Sequence, residues 1–196
     1  MKLLTLSTVA LLGVFGLAAC GSDDAAKPAA QTGVSNPTAG ATFNDADVTF
    51  AQGMIPHHEQ AIEMADMALD PTTGSSDGVR DIATRIKAGQ DPEVSMMTAW
   101  LESWGQPVQM DMSEGHDMSS MDGMMTTEEM DALDALTGPE FDTIWMQMMI
   151  RHHEGAIAMA QTVKAAGSSP DALALADLVI LAQQAEIAEM NTLLAG

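Results

Sequence analysis

Met54-Ile55-Pro56-His57-His58-Glu59-Gln60-Ala61-Ile62-Glu63-Met64-Ala65 recurs without gaps as Met149-Ile150-Arg151-His152-His153-Glu154-Gly155-Ala156-Ile157-Ala158-Met159-Ala160, and nine of the twelve positions are identical. A second pair of segments follows at a similar interval: Gln90-x-x-Glu93-Val94-x-x-Met97 and Gln183-x-x-Glu186-Ile187-x-x-Met190. Apolar residues in both copies recur at steps of three and four, the period of a helix with one buried face. The repeated unit is therefore a helical hairpin present twice. Two such hairpins joined by one long connection predict an all-α, ferritin-like four-helix bundle, in which a pseudo-twofold axis brings equivalent positions toward a shared interior.

Working outward from the repeat gives the remaining boundaries. The first helix is expected from Phe43 to Leu69, ended by Asp70-Pro71-Thr72-Thr73-Gly74, and the second from about Val79 to Trp104, where Gly105 and Pro107 stop it. Residues 106–126 lack helical periodicity, are rich in Met, Asp, Ser and Gly, and are longer than an ordinary connection in a compact bundle. Thr127-Glu128-Glu129 then caps a short helix to Leu136, and Gly138-Pro139 reopens the chain. Two further long helices are expected, one from Glu140 to about Ala166 and one from Ser169-Pro170 to Leu194. Prolines inside the pattern, Pro56 and Pro92, are expected to bend their helices and to make the two halves unequal, since Arg151 stands where Pro56 does.

The N-terminus reads differently. Met1-Lys2 precedes an uncharged apolar run to Ala19, and small residues stand immediately before Cys20, the one cysteine of the chain. That run is short of the roughly 20 residues a spanning helix needs, and no basic flank follows it. The segment 1–19 reads as a cleaved lipoprotein signal, with Cys20 the acylated residue and 20–42 a flexible tether of Ala, Pro, Gly, Ser and Thr. The domain of residues 43–196 is thus expected to be exported and held on the extracytoplasmic face of a membrane through lipid on Cys20. With that cysteine spent, no thiol remains for a disulfide, a nucleophile or thiolate ligation.

Charge and composition narrow the function classes. The chain of 196 residues carries 28 acidic against 7 basic residues, for a net charge of −21, which makes nucleic acid an improbable partner and a cation a natural one. It contains 18 methionines and 5 histidines, and four of those histidines lie in the two His-His pairs. No Ser-His-Asp constellation, phosphate loop or nucleotide fingerprint is present, so catalysis is not the first reading, and no protein partner is named by any motif.

The order of both Met-x-x-His-His copies, both Gln-x-x-Glu segments and the Trp100-Leu101-x-x-Trp104-Gly105 ending resembles the bacterial domain of unknown function 305 family over about Phe43 to the C-terminus. That resemblance implies a ferritin-like bundle. Some members of the family are similar to exported copper-binding proteins linked to copper tolerance, which implies binding or sequestration of copper in the cell envelope.

The residues support a metal site on their own terms. Positions three and four apart share a helix face, so Met54 lies beside His57 and His58, with Met64 farther along, and Met149, His152, His153 and Met159 repeat the arrangement. Glu93 and Met97 stand one turn apart on the next helix, as do Glu186 and Met190, and supply ligands or orienting groups. Di-iron bundles place a carboxylate three residues before each ligating histidine; here Met54 and Met149 take that place. Imidazole with thioether favours copper, Cu(I) above all, with zinc second and iron third.

Adjacent side chains point about 100° apart, so one histidine of each pair is expected to ligate while the other bonds to Glu59 or Glu154, or to a neighbouring helix. Met64 and Met159 read as core packing. Met110, Met112, His116, Met118, Met121, Met124 and Met125 form a looser second metal site in the connection, read as exposed methionines with no core to fill. Two other readings compete: a metal-dependent ferritin-like redox enzyme, and a metal-free interaction module displayed from the envelope.

Overall fold

A computed structural model describes residues 42–109 and 121–196. Cys20, Met110, Met112, His116 and Met118, with the segments around them, lie outside the described residues. Five helices are present among those described: α1 (Asp45–Leu69), α2 (Asp77–Ser103), α3 (Thr127–Asp134), α4 (Gly138–Ala166) and α5 (Pro170–Ala195). The four long ones form the expected all-α four-helix bundle, with α3 as a short helix ahead of the second hairpin.

Capping chemistry accounts for the starts. Asn44 closes a capping box with Asp47, so α1 begins two residues later than the apolar pattern alone implies. Ser76 accepts from Val79 N–H and starts α2 two residues early, and Thr126 with Glu129 boxes the start of α3. Gly138-Pro139, expected to interrupt the chain, instead forms the first turn of α4, where a proline needs no hydrogen-bond donor. Pro56 and Pro92 both lie within continuous helices.

Two apolar clusters fill the bundle. One gathers Ala61, Met64, Ala65 and Ala68 of α1 with Phe141, Trp145 and Met149 of α4. The other gathers Phe50, Ala51, Met54 and Ile55 of α1 with Ala156, Ala160 and Val163 of α4. The C-terminal half of one helix thus meets the N-terminal half of the other: α1 and α4 pack antiparallel, with α2 on α1 and α5 on α4. Burying a side chain the size of Phe141 contributes roughly 1.5–3 kcal/mol, and Trp145 adds an Nε1–H bond of 2.7 Å to the Met64 carbonyl.

The repeat also sets how each hairpin is tied. Asp47 is fully buried and accepts from the N–H groups of Asn44, Ser168 and Ser169, pinning the α4–α5 turn to the start of α1. Asp142 is its counterpart in the second copy, and it accepts from Ser76 N–H at the start of α2. The crossing point of α1 and α4 falls between the two apolar clusters, where both His-His pairs lie.

Candidate metal centre

His57, His58, His152 and His153 are all fully buried. The His57 and His152 rings face each other across the α1–α4 contact, with centroids 3.8 Å apart and planes tilted by 43°. His58 and His153 point instead toward the outer helices. His58 Nε2 lies 2.7 Å from a Glu93 carboxylate oxygen, and His153 Nε2 lies 2.7 Å from Glu186. The symmetry of these distances shows that Pro92 does not carry Glu93 away from the site. Glu59 and Glu154, expected as alternative partners, are exposed on the opposite face of their helices.

The His–Glu contacts define the register of each hairpin. Met54 is one turn before His58 and Met97 one turn beyond Glu93, so antiparallel pairing sets the two methionines abreast, in one apolar cluster. Met149 and Met190 are related in the same way and share the other cluster. All four are fully buried. A layer of four imidazoles is therefore sandwiched along the bundle axis between two layers of thioethers.

Hydrogen bonding gives the imidazoles their chemistry. A carboxylate accepts, so His58 and His153 donate from Nε2, a pattern in which an outer carboxylate orients a ligating ring. Glu93 and Glu186 are side-on to solvent, at 20% and 15% exposure, and sit behind the imidazoles as orienting groups. Five imidazole nitrogens have no partner: Nδ1 of all four histidines and Nε2 of His152. A buried polar atom without a partner costs about 1–3 kcal/mol, and native interiors rarely carry several in one place.

Burial also keeps the central rings neutral. Desolvation first, and then the neighbouring His58, pushes His57 down to about 3. Desolvation and the nearby His57 hold His152 well below the ordinary histidine range. Neutral imidazoles with free lone pairs are the protonation state a metal ion requires. Among the described residues, no group of three or more His, Cys, Asp and Glu side chains is gathered to hold an ion by itself. The donors the layer offers are imidazole nitrogen and thioether sulfur.

The sequence reading placed Met121, Met124 and Met125 in an exposed loop, and for Met125 that is overturned. Met125 is buried in the cluster around Phe141 and Trp145. Gln60 binds both backbone polar groups of Met125, which is why the chain turns inward there: Gln60 Nε2 donates to the Met125 carbonyl at 2.9 Å, and Met125 N–H donates to Gln60 Oε1 at 2.7 Å. Met121 and Met124 are half-buried. Met64 is core, as expected, and Met159 is half-buried at the edge of the other cluster.

Gln90 and Gln183 mark the second repeat but were given no site role from the sequence, yet both are buried with an unpartnered Oε1. Each stands one turn from its orienting glutamate. Their recurrence at matching places in the two hairpins was the available signal.

The profile of the family described as "Domain of unknown function (DUF305)" matches residues 47–194. Among solved structures, a DUF305 protein from Streptomyces coelicolor, described as secreted, is 32% identical with a TM-score of 0.69, over 76% of this chain and 92% of its own. A DUF305 fragment from Deinococcus radiodurans is 32% identical with a TM-score of 0.68, over 79% of this chain and 97% of its own. CopM in its Cu(II)-bound form is 33% identical with a TM-score of 0.64, over 76% of this chain and 95% of its own, and it is also known in Cu(I)-bound and Ag-bound forms. No match was found among the curated proteins.

Proposed function

The chain belongs to the DUF305 family, and from that premise we propose that it binds copper in the cell envelope, preferring Cu(I), through His57, His58, His152 and His153 with Met54, Met97, Met149 and Met190. The observation that carries this reading is the set of five unpartnered imidazole nitrogens in a buried layer flanked by four buried thioethers. Neutral nitrogen and sulfur donors suit Cu(I), which asks for no ligand charge, better than they suit zinc or iron. The similarity to CopM, itself solved with Cu(I), Cu(II) and Ag, supports the same choice.

In this reading the bundle holds the ion as cargo. Residues 1–19 export the chain, Cys20 carries the lipid, and residues 20–42 tether the domain outside the membrane, a location that the secreted relative supports. The acidic surface raises the local concentration of cations, and the Met-rich connection supplies additional weak thioethers. Titration of the metal-free protein with Cu(I) under reducing conditions tests the proposal. The expected result is withdrawal of Cu(I) from a chelator of micromolar affinity, with loss of that competition in a variant lacking all four histidines. Failure of the unaltered protein to compete overturns the reading.

A further inference from the structure

The repeat copies differ at three positions, Pro56/Arg151, Gln60/Gly155 and Glu63/Ala158, and residues at two of these grip the end of the connection. Gln60 holds the Met125 peptide from α1. At the equivalent place on α4, a Cβ on Gly155 would lie 1.9 Å from the Asp122 carbonyl oxygen and 2.9 Å from Gly123 Cα. Only a residue without a side chain lets the backbone of Asp122–Gly123 lie directly on the helix.

Gly123 matches it from the other side. Its φ is +85°, and a Cβ there would lie 2.7 Å from the Arg151 carbonyl. Arg151 also places its guanidinium against Met125 Sδ and on Glu129 at 2.6 Å. The N–H of Thr126, and then Arg151, hold the Glu129 carboxyl below the usual carboxylate range.

This strap, residues 121–126, reaches the imidazole layer at one atom. The Asp122 carbonyl oxygen is 3.3 Å from His57 Nε2. A carbonyl can only accept, so this contact selects the ring form with the proton on Nε2 and the lone pair on Nδ1.

We propose that the strap is a positioning element of the imidazole layer: docked by Gln60 and Gly155, it uses the Asp122 carbonyl to hold His57 in the Nε2–H form with Nδ1 free. His152 faces that ring with no hydrogen-bond partner on either nitrogen. That the free nitrogen receives copper rests on the function proposed above; that the strap sets the ring form does not.

The test uses long-range proton–nitrogen correlation spectra of the metal-free full chain, in which the two ring nitrogens report the tautomer. His57 is expected in a single Nε2–H form. Gly155→Ala, which displaces Asp122, and Gln60→Ala, which frees the strap without adding an atom, are each expected to give a mixture of forms at His57. His58 and His153, held by Glu93 and Glu186, keep theirs.

A strap that merely stabilised the fold would lower the melting temperature and leave the His57 pattern alone; that result overturns the proposal, as does an Nδ1–H form in the unaltered protein. In Cu(I) competition both variants are expected to lose about tenfold in affinity, the lower range for removal of a ligand's orienting partner. If the unaltered protein binds no Cu(I) while the tautomer responds as stated, the copper reading falls and the positioning role stands.

Discussion

At the seventh position of the repeat the first copy has Gln60, which binds the Met125 peptide, and the second has Gly155, which makes room for Asp122–Gly123. At the fifth position both copies have histidine, and His58–Glu93 and His153–Glu186 are each 2.7 Å apart. Symmetry is kept where side chains enter the bundle interior, and is given up where the second hairpin must be joined to the first. A duplicated hairpin has one connection, so the strap meets equivalent positions of α1 and α4 with different parts of itself. The divergent positions are what a single connection costs a twofold site.

Swapping the divergent residues tests that account most severely. Gly155→Gln drives a side chain into the Asp122 backbone and must expel the strap, exposing Met125. The expected loss is about 3 kcal/mol in urea unfolding, in the range for removing a buried methionine's packing, and it outweighs the roughly 1 kcal/mol gained by replacing a helical glycine. Gln60→Gly gives up two hydrogen bonds and gains a glycine penalty, with an expected loss of about 2 kcal/mol. Equal, small losses for both would mean that the strap is not seated on α4 as the Gly155 geometry requires.

Acid distinguishes the interior pair next. His57 is held at about 3, against an ordinary value of 6.5, and His152 is lowered as well. Above pH 6.5 both folded and unfolded chains leave these rings neutral. As pH falls below 6.5 the unfolded chain takes up protons that the folded one refuses, so stability falls, for His57 down to about pH 3. The expected slope is about 1.4 kcal/mol per pH unit for each ring. Unfolding of metal-free protein at pH 7 and pH 5 reads it directly, and a flat profile in the unaltered protein, or a slope that His57→Leu leaves unchanged, would contradict the burial assigned to the central pair.

The buried tie at Asp47 offers a third contrast. Asp47 accepts from three backbone N–H groups in the interior, whereas Asp142 is half-buried and accepts from one. Asp47→Ala strands those donors and is expected to cost about 2–3 kcal/mol, and Asp142→Ala about 1 kcal/mol. Similar losses in thermal melts of the two variants would show that the copies are tied alike.

Most of this arrangement was legible before any coordinates. Helical period and a gapless repeat imply two hairpins, and the His-His and Glu-x-x-x-Met spacings imply which faces turn inward, because helix geometry is local. What escaped was how the end of the connection seats on the bundle, which depends on segments meeting far along the chain. Nothing local marks Met125 as buried; its environment is set by Gln60 and Arg151, some distance away in sequence. Pro56 and Pro92 each lack a backbone donor, but packing on both sides keeps α1 and α2 continuous, and His58 meets Glu93 as closely as His153 meets Glu186.

The smallest expected effect discriminates most sharply between a structural and a functional interior. His152 has two buried nitrogens without partners, and His57 has one, its other nitrogen being held by Asp122. Replacing a buried polar group that has no partner with an apolar one of similar volume removes a desolvation cost and adds packing. His152→Leu is therefore expected to raise the stability of the metal-free protein by about 1 kcal/mol, while His57→Leu, which strands the Asp122 carbonyl, is expected to leave it unchanged. With Cu(I) added, the unaltered protein should gain melting temperature and both variants should gain less, since ligand stabilises only the form that binds it. A metal-free His152→Leu protein that is markedly less stable would mean that those nitrogens already serve the fold. A more stable one would show that the bundle tolerates an unfavourable interior because the site is needed.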